Sequence, residues 1–165
     1  MKTIILTTLL FILLLAVTAC GGTASAAPAL PEIHYGSDIC ELCGMIISDA
    51  HYAAGYLTAD GEDHIFDDIG NMVVSHLQKQ AEVKAFFVHD YESQRWIRAE
   101  TAHYVLSPKL LTPMLHGLAA FETPEKAEAL AAELDGKLLT FAELLAHYKT
   151  KVAAVPEEHS QHQHN

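Results

Sequence analysis

The sequence has few basic residues: 10 lysines and arginines stand against 21 aspartates and glutamates among 165 residues, for a formal net charge of −11. No stretch gathers the basic residues into a stripe, which is the electrostatic footprint of nucleic-acid binding. We therefore expect no nucleic acid among the partners. An acidic surface also offers little attraction to anionic lipid, so membrane attachment requires a covalent lipid.

Cysteine is equally scarce, because the chain contains only Cys20, Cys40 and Cys43. A structural zinc site uses four nitrogen or sulfur ligands, usually as two closely spaced pairs. Neither a second cysteine pair nor an H-x(3–5)-H motif occurs between residues 33 and 150. A structural zinc site is therefore not expected.

The N-terminus has the pattern of an export signal. Lys2 precedes the apolar run IILTTLLFILLLAV, which is too short and too close to the terminus for a transmembrane helix, and VTAC follows at residues 17–20. This pattern predicts a lipoprotein signal peptide over 1–19 and a lipidated Cys20, with a plain signal peptide cut after Ala27 as the alternative. Gly21 follows the cysteine where sorting to the inner membrane would favour aspartate. We therefore expect an extracytoplasmic protein, on the periplasmic face of the outer membrane if the cell has one.

Two segments lack the apolar periodicity of folded structure. Residues 20–32 are small and proline-containing, and they predict a flexible tether. Residues 151–165 predict a disordered tail rich in histidine, and His159, His162 and His164 are able to collect Cu(II) or Zn(II) loosely. The remaining 33–150 have the length of one compact domain.

The hydrophobic pattern of this domain predicts an α+β fold. Strands are expected over 53–58, 63–66, 83–88, 96–99, 117–121 and 137–140, with 101–106 extending the first sheet, and helices over 68–79, 124–134 and 141–148. Asp67 and Asp68 are expected to cap the first helix. For the second helix, Thr123 is the expected N-cap and Pro124 suits the first helical position. The similar rhythm of the halves suggests two small lobes, about 33–106 and 107–150.

The stretch DICELCGM, residues 38–45, carries the remaining cysteine pair. A C-x-x-C pair in an exported protein is by default a disulfide, and thiol–disulfide exchange would need it at a helix N-terminus after a strand. No buried strand is predicted before Cys40, and Gly44 is a poor helix opener, so the motif is expected in a loop. Cys43 and Met45 offer a thiolate and a thioether, which select Cu(I). The alternative for Met45 is a place in the core.

A second loop, between the lobes, also carries soft-metal candidates. Residues 107–117 contain two prolines, which oppose a regular helix or strand. Met114 lies in this loop, followed two residues later by His116. The alternative is that Met114 packs with Leu110, Leu111 and Leu115 in a hydrophobic cluster.

These motifs, in their order, resemble the NosL-type copper lipoproteins, accessory proteins of nitrous oxide reductase. The resemblance rests on Cys20, on C-x-x-C-G-M at 40–45, on D-G-x(4)-F-D-D at 60–68, on T-P-M at 112–114, on A-F at 120–121 and on D-G-K-L-L-T-F at 135–141. It implies two ββαβ-type lobes in one compact domain, distantly like organomercurial lyase.

The resemblance also implies a function, which is that of a membrane-anchored Cu(I) chaperone for nitrous oxide reductase and its maturation machinery. Carried over by position, Cys43 and Met45 are the first metal ligands and Met114 the next, with Cys40 and His116 as further candidates. On this basis the protein transfers copper and is not an enzyme.

Two enzymatic alternatives stay open. One is an exported C-x-x-C thiol–disulfide oxidoreductase, which would need both cysteines but not Met45. The other is an organomercurial-lyase-like enzyme, which would need an acid beside the thiolates, with Asp67 or Asp68 as the candidates.

Overall fold

The computed structural model describes residues 29–153. Four predicted features lie outside these residues: the signal peptide, Cys20 as the lipidation site, most of the tether and the histidine-rich tail. Among the residues described, no helix combines the length and the apolar composition that crossing a bilayer would require.

The described residues contain seven strands, three α-helices and one 3-10 turn. The strands are β1 (Ala54–Thr58), β2 (Asp63–Phe66), β3 (Val83–His89), β4 (Trp96–Arg98), β5 (His103–Leu106), β6 (Leu118–Phe121) and β7 (Lys137–Leu139). The helices are α1 (Ile69–Lys79), α2 (Pro124–Leu134) and α3 (Phe141–Ala153), and the 3-10 turn is Ala99–Thr101. The predicted α+β class is confirmed.

The first sheet is antiparallel in the order β2-β1-β3-β4, and α1 lies between β2 and β3 in the chain. The start of α1 is set by Asp68, whose extended backbone and side-chain bond to the Gly70 N–H at 2.9 Å form an N-cap. The predicted capping role is thereby confirmed for Asp68. Met72, on the inner face of α1, is fully buried, as expected for a core residue.

The second sheet is antiparallel in the order β6-β5-β7, with α2 between β6 and β7 in the chain. The expectation that 101–106 extends the first sheet is wrong, because β5 pairs with β6 and β7. The 3-10 turn after β4 redirects the chain, and the Tyr104 hydroxyl fixes this turn by donating to the Ala99 carbonyl at 2.7 Å.

The two sheets repeat one arrangement of strands and helix. The segment β1-β2-α1-β3 and the segment β5-β6-α2-β7 are both ββαβ units, and each places its first strand between its second and its third. The sheets meet where Tyr91 donates its backbone N–H to the Ala120 carbonyl at 2.8 Å.

One shared core joins the two units. It contains Phe66 and Met72 from the first unit and Tyr104, Leu118 and Tyr148 from the second unit and α3. Because α3 packs against α1, the C-terminal helix lies behind the helix whose N-terminus positions the site described next.

Candidate metal centre

The C-x-x-C segment is a tight turn, as the sequence predicts. The backbone N–H of Cys40 donates to the Met45 carbonyl at 2.8 Å, and the N–H of Gly44 donates to the Cys40 carbonyl at 2.9 Å. Gly44 has φ +73°, a left-handed conformation that residues with a side chain rarely adopt. Gly44 therefore allows the chain to reverse direction between Cys43 and Met45.

Inside this turn, two thiols meet a carboxylate. Cys40 is buried and Cys43 half-buried, and both are free thiols. The two sulfurs and a carboxylate oxygen of Asp67 all lie within 4.8 Å of one another. The Cys43 thiol donates to Oδ2 of Asp67 at 3.4 Å. The three groups are thus close enough to hold a single metal ion.

The surroundings keep the Cys43 thiol protonated. Burial raises the pKa of Cys43 to about 12; the Met45 backbone N–H opposes this shift, and the nearby Cys40 and Asp67 add to it. A metal ion that binds the Cys43 sulfur as thiolate must therefore displace a proton. A catalytic cysteine of a thiol oxidoreductase needs the opposite, a lowered pKa.

Met45 and Met114 lie in different loops. Met45 is 49% exposed, so the alternative of a core position does not hold. Met114 is half-buried, and its backbone N–H donates to Oδ2 of Asp68 at 3.2 Å. Oδ2 of Asp68 also accepts from the Thr112 hydroxyl at 2.5 Å. Adjacent carboxylates therefore hold the two loops, with Asp67 bound to the first and Asp68 to the second.

The leucines beside Met114 do not form the alternative hydrophobic cluster. Leu110 is buried, but Leu111 and Leu115 are each 75% exposed. Leu115 also has φ +57°, which is unfavourable for a residue with a branched side chain. The loop therefore presents two leucines to solvent next to Met114.

His116 lies on the other side of the α1 N-terminus, with both ring nitrogens in hydrogen bonds. Nε2 lies 3.1 Å from Oδ1 of Asn71, and Nδ1 lies 2.8 Å from the Tyr148 hydroxyl. Asn71, which is 3% exposed, also contacts the first loop through bonds from Nδ2 to Oδ1 of Asp67 at 2.9 Å and to the Cys40 sulfur at 3.6 Å. Sequence reasoning missed Asn71, because Asp67 precedes the N-cap of α1 and no local motif connects the two residues.

A comparison with protein families matches residues 33–148 to the NosL family model. The copper-binding lipoprotein NosL of Stutzerimonas stutzeri is 31% identical over 149 residues, which cover 83% of this chain and 78% of that protein. The crystal structure of the copper chaperone NosL from Shewanella denitrificans matches with a TM-score of 0.62 and 22% identity, over 71% of this chain and 96% of that chain. The structural match supports the fold.

Proposed function

This chain belongs to the NosL family, and from that premise we propose that it is a membrane-anchored, extracytoplasmic Cu(I) chaperone. Its copper is destined for the copper site of nitrous oxide reductase. Two relatives support the proposal by name, one as a copper-binding lipoprotein and the other as a copper chaperone. The observation that carries it is the turn that holds two thiols and an exposed thioether within six residues.

The proposed ligands are Cys43 and Met45 from the first loop and Met114 from the second, with Cys40 as a further sulfur ligand. Thiolate and thioether ligands select Cu(I) over harder cations. His116, the remaining candidate, is able to bind only if one of its two hydrogen-bond partners is released.

Release of copper is proposed to occur by ligand exchange. The thioethers of Met45 and Met114 carry no charge and no proton, so their bonds to copper break without acid–base chemistry. The exposed Met45 gives an incoming sulfur ligand of the recipient a route to the metal. The protein thus binds and transfers copper, and it catalyses no reaction.

Lipidation of Cys20 supplies the membrane anchor in this proposal. The variant Cys20→Ser tests it, because we expect the variant to leave the membrane fraction and to lose incorporation of labelled fatty acid. Density fractionation of the envelope distinguishes the outer from the inner membrane. A wild-type protein without fatty acid would show that the anchor is wrong while leaving the copper site untouched.

A lyase is the enzymatic alternative with some geometric support, because Asp67 lies beside both thiols. The relatives, however, are named for binding or carrying copper and not for a reaction. We expect no release of hydrocarbon when the purified protein is incubated with an organomercurial. The same preparation is expected not to reduce a model disulfide catalytically.

The ligand assignment is tested by loading the purified protein with Cu(I) without oxygen and titrating it with a chromogenic Cu(I) chelator. Cys43→Ser and Met45→Leu should each weaken binding, whereas Met72→Leu, in the buried core, serves as the matched control and should not. Wild-type affinity in both Cys43→Ser and Met45→Leu would overturn the assignment.

The client is tested in cells. Deletion of the gene should leave nitrous oxide reductase folded but poor in copper, and the wild-type gene should restore its copper content. Restoration by Met45→Leu as complete as by wild type would contradict the proposed route.

A further inference from the structure

We propose that Asn71 is a positioning residue of the copper site, and that His116 orients Asn71 instead of binding the metal. The inference rests on the proposed copper function, which it deepens. It also assigns a role to three buried or half-buried polar groups, those of Asn71, His116 and Tyr148, that the ligand set leaves without one.

The orientation of the Asn71 amide follows from its neighbour Asp67. An ionised carboxylate only accepts hydrogen bonds, so the amide nitrogen must be the atom that faces Oδ1 of Asp67 at 2.9 Å. The same nitrogen directs its second hydrogen at the Cys40 sulfur, 3.6 Å away. The amide oxygen therefore faces His116.

This orientation determines the tautomer of His116. Oδ1 of Asn71 only accepts, so Nε2 of His116 carries the hydrogen and donates across 3.1 Å. In the neutral ring Nδ1 then accepts, and the Tyr148 hydroxyl donates to it across 2.8 Å. Each group thus donates a hydrogen bond to the next. Tyr148 donates to His116, His116 donates to Asn71, and Asn71 donates to the Cys40 sulfur and the Asp67 carboxylate.

The backbone of α1 is built around this arrangement. A Cβ atom at Gly70 would lie 2.2 Å from Cγ of His116, so only glycine at this position lets the imidazole rest against the helix. Tyr148, on α3, is 2% exposed, which fixes the far end of the series in the core. The position of the imidazole is thus determined by packing as well as by hydrogen bonds.

Two consequences for the metal follow. The amide hydrogens of Asn71 face the Cys40 sulfur and the Asp67 carboxylate. When copper replaces a thiol proton, negative charge is concentrated on these groups, and the two hydrogen bonds stabilise it. Copper binding by either nitrogen of His116 would leave Oδ1 of Asn71 or the Tyr148 hydroxyl without a partner in a buried environment, which is unfavourable.

A double-variant cycle on Cu(I) affinity tests the proposal. We expect Asn71→Leu and His116→Leu each to weaken binding by about 10- to 100-fold, as removal of groups that orient metal ligands does. The double variant should bind no more weakly than Asn71→Leu, because His116 acts through Asn71. A further loss from His116→Leu in the Asn71→Leu background would show direct ligation and overturn the proposal.

Rescue separates orientation from ligation. The amide nitrogen of His116→Gln is able to donate to Asn71, so we expect an affinity within about threefold of wild type. Copper X-ray absorption should show no nitrogen or oxygen neighbour that disappears in this variant. Loss of such a neighbour, together with an affinity as low as that of His116→Leu, would contradict the inference.

Imidazole nitrogen NMR of the copper-free protein gives a readout that does not depend on copper. Wild type should show His116 as the Nε2–H tautomer, and Asn71→Leu should lose this preference; Tyr148→Phe, which removes only the donor to Nδ1, should weaken it. The Nδ1–H tautomer in wild type would overturn the proposal. A wild-type protein that shows the expected tautomer but binds no Cu(I) would instead contradict the proposed function.

Discussion

The carboxylate of Asp68 accepts a hydrogen bond from the backbone N–H of Met114 at 3.2 Å, although 46 residues separate them in the chain. The same carboxylate caps helix α1 through the Gly70 N–H. One fully buried side chain therefore starts the helix of the first ββαβ unit and holds the methionine loop that precedes β6 of the second. This bond holds the loop of Met114, a proposed ligand, at the N-terminus of the helix that follows Asp67.

Replacing Asp68 should therefore cost more than the loss of an ordinary helix cap. Asp68→Ala removes the bond to Gly70 and leaves the Thr112 hydroxyl and the Met114 N–H without their acceptor. We expect the free energy of unfolding to fall by about 2–4 kcal/mol, measured by urea denaturation.

The second helix supplies the control for this prediction. Thr123 occupies the N-cap of α2 but makes no side-chain capping bond. Thr123→Ala should change the free energy of unfolding by less than about 0.5 kcal/mol. Equal losses for Thr123→Ala and Asp68→Ala would mean that the buried contacts of Asp68 contribute nothing beyond capping.

Gly70→Ala should destabilise the protein, although alanine is the better helix former. The added Cβ would overlap the imidazole of His116, and displacing the ring breaks its bonds to Asn71 and Tyr148. We expect a loss of about 1–3 kcal/mol in the free energy of unfolding. In a His116→Ala background the same substitution should stabilise by up to about 1 kcal/mol. Destabilisation of equal size in both backgrounds would exclude the overlap as its cause.

Copper affinity should rise with pH, because each thiol that binds copper as thiolate loses its proton. Burial raises the pKa of Cys43 to about 12, so its thiol is protonated in the metal-free protein throughout the range from pH 7 to 8.5. Loss of this one proton from Cys43 on binding should raise the affinity about tenfold per pH unit. Competition titrations against a Cu(I) chelator measure the affinity at each pH, after correction for the pH dependence of the chelator's own affinity. A flat profile would exclude Cys43 as a thiolate ligand.

Acid should destabilise the fold through His89. Nδ1 of this buried ring bonds to the Ala53 carbonyl at 3.0 Å, and Nε2 lies 3.1 Å from the Tyr35 hydroxyl. Burial lowers the pKa of His89 below its usual 6.5. As pH falls below about 6.5, the unfolded chain takes up the proton first, so the stability present above this pH is lost toward the lower folded pKa.

The size of this acid effect is bounded by one proton. His89 should contribute at most about 1.4 kcal/mol per pH unit to the decline in the free energy of unfolding. His89→Gln retains groups for both hydrogen bonds without titrating, and it should flatten the decline in the free energy of unfolding between pH 6.5 and 5. If the free energy of unfolding declines as steeply with falling pH in His89→Gln as in wild type, His89 is not the cause of the decline.

Local signals in the sequence were sufficient for most helices and strands. Thr123 and Pro124 mark the start of α2. The spacing of its apolar residues predicts a helix as far as Leu134, where α2 ends. Its C-terminus is instructive, because Gly136 does not take the left-handed position. Asp135 adopts it with φ +52°, while a Cβ at Gly136 would lie only 2.8 Å from Cγ1 of Val105. Glycine is required there by packing across the sheet, which no local pattern reveals.

Contacts between distant segments explain what the sequence could not predict. The pattern of β5 indicates a strand but not its partners, and the partners come from residues that follow it in the chain. Likewise the two aspartates predicted a cap, but not that Asp68 alone forms it while Asp67 faces Cys43. Asn71 has no motif of its own, because its role exists only once His116 and Cys40 lie on either side of it.

The central claim, that Cu(I) is held by sulfur from both loops, is tested most directly at selenium. Labelling with selenomethionine places selenium at Met45, Met72 and Met114, and X-ray absorption at the selenium edge detects copper bonded to it. We predict a copper neighbour in the Cu(I)-loaded wild type. We predict none in the Met45→Leu/Met114→Leu variant, which keeps only the fully buried Met72 of these three. Copper-loaded wild type without a selenium–copper bond, or a bond that persists in the double variant, would contradict the account.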